Sequence, residues 1–184
     1  MTLETDSTTQ ASAVLPAFDA KATHLIHDWA HNSKLLCCRV DPSGTFVFAG
    51  GIDYTIQRWE IATGNKTDLI GHDNWVRTLA FSPDGASLYS GGCEGRLISW
   101  EVVAARPTPV RIIDTKHGWL RGLAVSNDGL RLATVGNDRL VKVWSTVDGR
   151  LIYECAGHPQ ITYCVQWLCP SIGPLGKNSR SRSC

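Results

Sequence analysis

The chain has 184 residues, 43% hydrophobic and 19% charged, with 18 Lys plus Arg against 17 Asp plus Glu. That composition suits one folded domain of ordinary size and gives no bulk charge for a nucleic-acid or anionic-membrane surface. No stretch approaches the roughly 18 apolar residues of a membrane-crossing helix. Residues 1–22, dominated by Thr, Ser and Ala, lack the basic start and apolar run of a secretory signal and read as a loose leader.

From residue 23 onward the pattern is short apolar runs cut by turns, with no helical period of useful length. A leading strand is expected at "THLIHDW" (23–29). A first unit follows with "LLCCRV", "TFVFAG", "TIQRWEI" and "KTDLIG". The second unit has "VRTLAF" (76–81), "ASLYSG" (86–91), "RLISWEV" (96–102) and "PVRIIDT" (109–115). The third has "LRGLAV", "LRLATV", "RLVKVWS" and "LIYECA". Each unit is expected to be a four-stranded antiparallel meander, over about residues 31–70, 72–115 and 117–156. A trailing strand is expected in "GHPQITYCVQW" (157–167), which matches "GHDNWVRTLAF" (71–81). No further turn follows it. Residues 169–184 form an irregular tail holding Lys177, Arg180 and Arg182 and no acid.

Three markers keep one beat through the units. The tryptophans are Trp59, Trp100 and Trp144, with steps of 41 and 44. The turns "DPSG", "SPDG" and "SNDG" end at Gly44, Gly85 and Gly129, with the same steps. Asp53, Glu94 and Asp138 each stand six residues before the tryptophan. A fixed period of 40 to 45 residues marks a repeat architecture.

With Gly71-His72 and Gly157-His158 before first strands, this set resembles the WD-repeat β-propeller family over roughly residues 23–167. The resemblance implies an all-β, incomplete propeller: three full four-stranded blades plus a leading and a trailing strand, within residues 23–168. It also implies a hydrogen-bonded set of four in each blade: histidine, hydroxyl, acid and tryptophan. The third unit is complete, with His117, Thr134, Asp138 and Trp144. The second has His72, Ser90 and Trp100, with Glu94 in place of Asp. The first has His31, Asp53 and Trp59, but Ala49 stands where the hydroxyl should be, so this unit is expected to be looser. Buried indole, imidazole and hydroxyl groups need partners, and the set supplies them.

Thr134–His117–Asp138 and Ser90–His72–Glu94 also have the wording of a hydrolase triad. They recur from unit to unit in mid-strand, and no Gly-x-Ser-x-Gly elbow is present, so the structural reading stands and no catalytic residue is assigned. His24, His27 and His31 are close together, yet residues three apart on a strand point to opposite faces, so no metal site is expected. No cofactor motif is found. Seven cysteines in no regular spacing are read as reduced, which suits a cytoplasmic protein.

The remaining surface signal is "WVR" (75–77) and "WLR" (119–121), a step of 44. Trp75 and Trp119 begin a first strand, and Arg77 and Arg121 lie two residues on, on the same face. These are residue types favoured in binding hot spots, although scaffold duty would also explain them. The first unit has Lys34 and Leu36 there. The expectation is a non-catalytic interaction scaffold with protein partners, and with no nucleic acid or membrane. The alternatives are a fragment without independent function or an enzyme using the propeller channel. Three blades leave two apolar faces bare, which a truncated propeller, further propeller chains completing a ring, or a partner would account for.

Overall fold

The computed structural model describes residues 24–156 and 158–168; the leader and tail lie outside these residues. Twelve strands form three four-stranded antiparallel sheets. The first holds β1 (Leu35–Val40), β2 (Phe46–Gly51), β3 (Thr55–Glu60) and β4 (Lys66–Ile70). The second holds β5 (Val76–Phe81), β6 (Ser87–Gly92), β7 (Arg96–Glu101) and β8 (Arg111–Asp114). The third holds β9 (Leu120–Val125), β10 (Arg131–Gly136), β11 (Val141–Ser145) and β12 (Leu151–Cys155). Each sheet is a simple meander in chain order. The sheets stack through their inner strands, β5 on β1 and β2, and β9 on β5 and β6. They do not close into a ring, and the fold is an incomplete all-β propeller.

Turn chemistry sets the first hairpin of each blade. Gly44, Gly85 and Gly129 sit at φ of 71°, 73° and 72°, a region that costs a side chain but not glycine. Each glycine N–H donates to the carbonyl three residues back, on Asp41, Ser82 and Ser126. The serine hydroxyls of Ser82 and Ser126 donate to Asp84 and Asp128 within the turn, both at 2.5 Å. In the first blade the two residue types exchange places, and the Ser43 hydroxyl donates back to Asp41. The same bond is therefore made from either direction.

The core lies between blades. Phe48, Ile56 and Leu69 of the first blade pack with Val76, Leu79, Leu88, Ile98 and Trp100 of the second. Leu97 of the second packs with Leu120, Leu123, Leu132 and Trp144 of the third, joined by Tyr89 and Ile113. A fully buried aliphatic side chain is worth roughly 2 kcal/mol, so either interface outweighs any single hydrogen bond within it. The outer faces contrast with this. Leu35 and Val40 on β1, and Leu151, Ile152 and Tyr153 on β12, are exposed.

The segments expected as leading and trailing strands join no ladder among the described residues. A strand needs a hydrogen-bonding neighbour, and neither segment has its own second strand beside it here. Both still pack on the nearest blade. Trp29 stacks on Trp59 with centroids 6.1 Å apart. The Trp167 indole N–H donates to the Ala124 carbonyl at 2.9 Å.

Glycine permits the close approach of neighbouring inner strands. A Cβ on Gly50 would stand 2.6 Å from Val76, and one on Gly91 would stand 2.3 Å from Leu120. Overpacking of this kind costs about 1–3 kcal/mol. Gly91→Ala should therefore lower the unfolding free energy by about that amount in chemical denaturation; an unchanged midpoint would refute the close packing of the second and third blades.

Candidate functional site

Two features gather the polar and aromatic residues: buried sets between strands, and an exposed rim where the inner strands begin.

In the third blade the Trp144 indole N–H donates to Thr134 Oγ1 at 2.8 Å. Thr134 Oγ1 also meets His117 Nε2 at 2.8 Å, and His117 Nδ1 meets Asp138 Oδ1 at 2.6 Å. One proton arrangement satisfies every atom: the indole donates to the hydroxyl, the hydroxyl to Nε2, and Nδ1–H to the carboxylate. The second blade repeats the chain of donors, but Glu94 Oε2 is buried without a hydrogen-bond partner among the described residues. Trp100 donates to Ser90 Oγ at 2.8 Å, Ser90 Oγ meets His72 Nε2 at 2.7 Å, and His72 Nδ1 bonds Glu94. The longer Glu94 thus reaches the histidine as Asp138 does.

The first blade departs from this arrangement. With Ala49 in the hydroxyl position, His31 presents Nε2, not Nδ1, to the acid, 3.0 Å from Asp53 Oδ2. That approach is too poorly aligned to be a hydrogen bond, and Nε2 is left buried without one. The missing hydroxyl has turned the imidazole, which now packs edge-on to Trp59. His27 stacks on Trp29 at 5.0 Å.

The triad wording fails on access. Ser90 and Thr134 are completely buried, and each hydroxyl oxygen already receives an indole N–H. A completely buried hydroxyl has no open path to a substrate carbonyl, whatever lone pair it keeps.

Lys142 was not legible as part of this set. Two residues before Trp144, it stands where the second blade has the buried Ile98. Its ammonium is buried between Asp138 Oδ2 at 2.8 Å and the Thr115 carbonyl at 2.9 Å. The available signal was a charge at a position that is apolar one repeat earlier. Burial opposes ionisation of Asp138, but hydrogen bonds from Lys142, His117 and the Leu140 N–H hold its carboxyl below the usual range. Burial pushes the His117 imidazole below its ordinary value, against the pull of Asp138.

The rim is built on bulges. The register slips between Val76 and Thr78 on β5, and between Leu120 and Gly122 on β9, leaving Arg77 and Arg121 outside the ladder. Leu36 holds the same position on β1. Trp75 and Trp119 stand just before their strands, so simple alternation does not set where the arginines point. The two indoles are 39% and 41% exposed, and their centroids lie 6.4 Å apart across the blade boundary. Arg121 is held between Trp119 at 5.1 Å and Tyr163 of the trailing segment at 4.6 Å. Its Nε donates to Asn137 Oδ1 at 2.6 Å. The second blade has Cys93 in the place of Asn137, and the buried Nε of Arg77 finds no acceptor. Burial raises the Cys93 thiol above its ordinary value, so it stays neutral beside Arg77.

Restoring the absent hydroxyl with Ala49→Ser should stabilise the chain by about 1 kcal/mol, read as a raised melting temperature. The titration of His117 sets a pH dependence. Its folded pKa lies below the ordinary 6.5, so between the two values the unfolded chain binds more protons. The contribution of His117 is therefore complete above pH 6.5 and is lost as pH falls below it. The depressed Asp138 adds a second loss below its ordinary 3.8. Melting followed from about pH 8 to pH 5 should fall in the lower half of that range, less steeply in His117→Gln.

Comparison with known proteins places these features. The family description "WD domain, G-beta repeat" matches residues 23–60, 64–101 and 107–145. Nuclear distribution protein nudF of Emericella nidulans is 30% identical over 151 residues, covering 70% of this chain and 34% of that protein. Periodic tryptophan protein 2 of Arabidopsis thaliana is 34% identical over 123 residues, covering 66% of this chain and 13% of that protein. The solved structure of U3-55K superposes with a TM-score of 0.70 at 23% identity, over 75% of this chain and 44% of that one, and shows the fold. The chain thus spans about a third of nudF and less than half of the solved propeller. Three matched repeats, each spanning the first three strands of one blade and the segment just before them, make this chain a member of the WD-repeat family.

Proposed function

We propose that the chain is a non-catalytic protein-interaction scaffold whose contact surface is the rim of Trp75, Arg77, Trp119 and Arg121. The observation that carries this is the exposed indole pair bridging two blades. A pair of neighbouring indoles beside a guanidinium offers large contact area at small entropic cost, the make-up of a binding hot spot. The complete burial of both hydroxyls supports the absence of catalysis at the repeated sets. The free state of the described cysteines accords with a cytoplasmic setting. The exposed faces of β1 and β12 are seats for further blades, in the same chain or supplied by another.

Trp75→Ala with Trp119→Ala should reduce recovery of specific partners by at least about tenfold in quantitative affinity enrichment, since two hot-spot residues are removed. The melting temperature should hold, because both indoles are partly exposed. An unchanged partner set would remove the rim from the proposal.

A further inference from the structure

The two interfaces between blades are built at equivalent positions but are not equally filled. In the first, Phe46 pairs with Glu60 across β2 and β3, packs edge-on to Phe48, and lies under the Arg58 guanidinium at 4.9 Å. Phe48 in turn meets Phe81 of the next blade at 5.3 Å. Arg58 reaches over this ring to the carbonyls of Val102 and Ala104 at 2.7 and 2.9 Å.

In the second interface the residue paired with the glutamate is Ser87, opposite Glu101. Phe81 is matched by Val125, and Val102 by Thr146. The arginine has crossed one rung of the ladder. Arg58 faces Thr67, whereas Ser99 faces Arg111, so the guanidinium now comes from β8. It still caps the next blade, bonding the carbonyls of Thr146 and Val147 at 3.0 and 2.9 Å. The cap is kept, and the phenyl ring beneath it is gone. In its place is a cleft of about 370 Å³, lined by Ser87, Ser99, Tyr89, Arg111 and the faces of Trp100 and Trp144. Ser87 begins β6 after the turn that ends β5, so the cleft opens at the end of the blades opposite the Trp75–Trp119 rim.

We propose that this cleft binds a small neutral aromatic molecule with one ring, of the phenol class. Its volume lies within the range of small-ligand sites. The first interface shows what the space accepts: a phenyl ring beneath a guanidinium held by two carbonyls. Arg111 and Glu101 both border the cleft, and their charges balance, which favours an uncharged guest. The hydroxyls of Ser87, Ser99 and Tyr89 give a phenolic hydroxyl partners that a plain hydrocarbon would not use.

Phenol is the probe, titrated into the whole chain and followed by two-dimensional NMR. Saturable binding is expected, with a Kd on the order of 1 mM or tighter, and with shifts centred on Tyr89, Ile113 and Trp144. Cyclohexanol, matched in size but without a π face, should bind at least about fivefold more weakly. Ser87→Phe supplies the ring of the first interface and should weaken phenol binding at least about tenfold. If that variant fails to fold, the shift map of the unsubstituted chain decides alone. Absence of saturation, shifts centred elsewhere, equal binding of cyclohexanol, or undiminished binding to a folded Ser87→Phe would overturn the proposal. Binding of N-acetyl-phenylalaninamide without phenol would give the cleft to a partner's side chain and overturn it equally.

Discussion

The structure depends on burying a tryptophan at the seam between two sheets. Trp100 and Trp144 place large apolar surfaces against the preceding blade, and each carries an N–H that must not be left dry. One hydroxyl on the neighbouring strand takes that proton, and a histidine takes the hydroxyl's. The acid then fixes the histidine's tautomer. Remove one member, and the others must turn to find something else. The first blade shows this directly, with Ala49 leaving His31 to face Asp53 through the other ring nitrogen. The buried network is thus a condition for stacking, and stacking supplies most of the stability.

The two seams solve the same problem with different residues. The first is dry and aromatic, with Phe46, Phe48 and Phe81 filling it. The second gives up aromatic volume and draws Lys142 into an ion pair beside Asp138, where the second blade has Ile98. A buried lysine is tolerable there because both a carboxylate and a carbonyl receive it. Arg58 and Arg111 show the same freedom. What the fold holds constant is a guanidinium on the carbonyls after the third strand, and the strand that supplies it differs.

The sequence made the repeats legible because their markers are local. A turn that needs glycine at positive φ, and a tryptophan at a set distance from an acid, can be read without knowing what lies across the interface. The three meanders and the repeated side-chain sets follow from those markers. The leading and trailing segments carry strand-like patterns, but a ladder takes two partners, and pattern alone cannot provide the second. Lys142 and the crossing of the arginine were hidden for a related reason. Each depends on which residue faces which across a seam. The rim was legible by residue type at Trp75 and Trp119 but not by direction, since alternation assumes an unbroken register.

That broken register has a wider meaning for how such a surface can change. Leu36, Arg77 and Arg121 occupy one extra step in their strands, and no cross-strand neighbour is matched to them. Their identity is therefore uncoupled from sheet pairing: an aliphatic group and two cations sit there in one molecule over the same backbone. The bulge works as a socket into which chemistry can be exchanged blade by blade while the scaffold stays as it is.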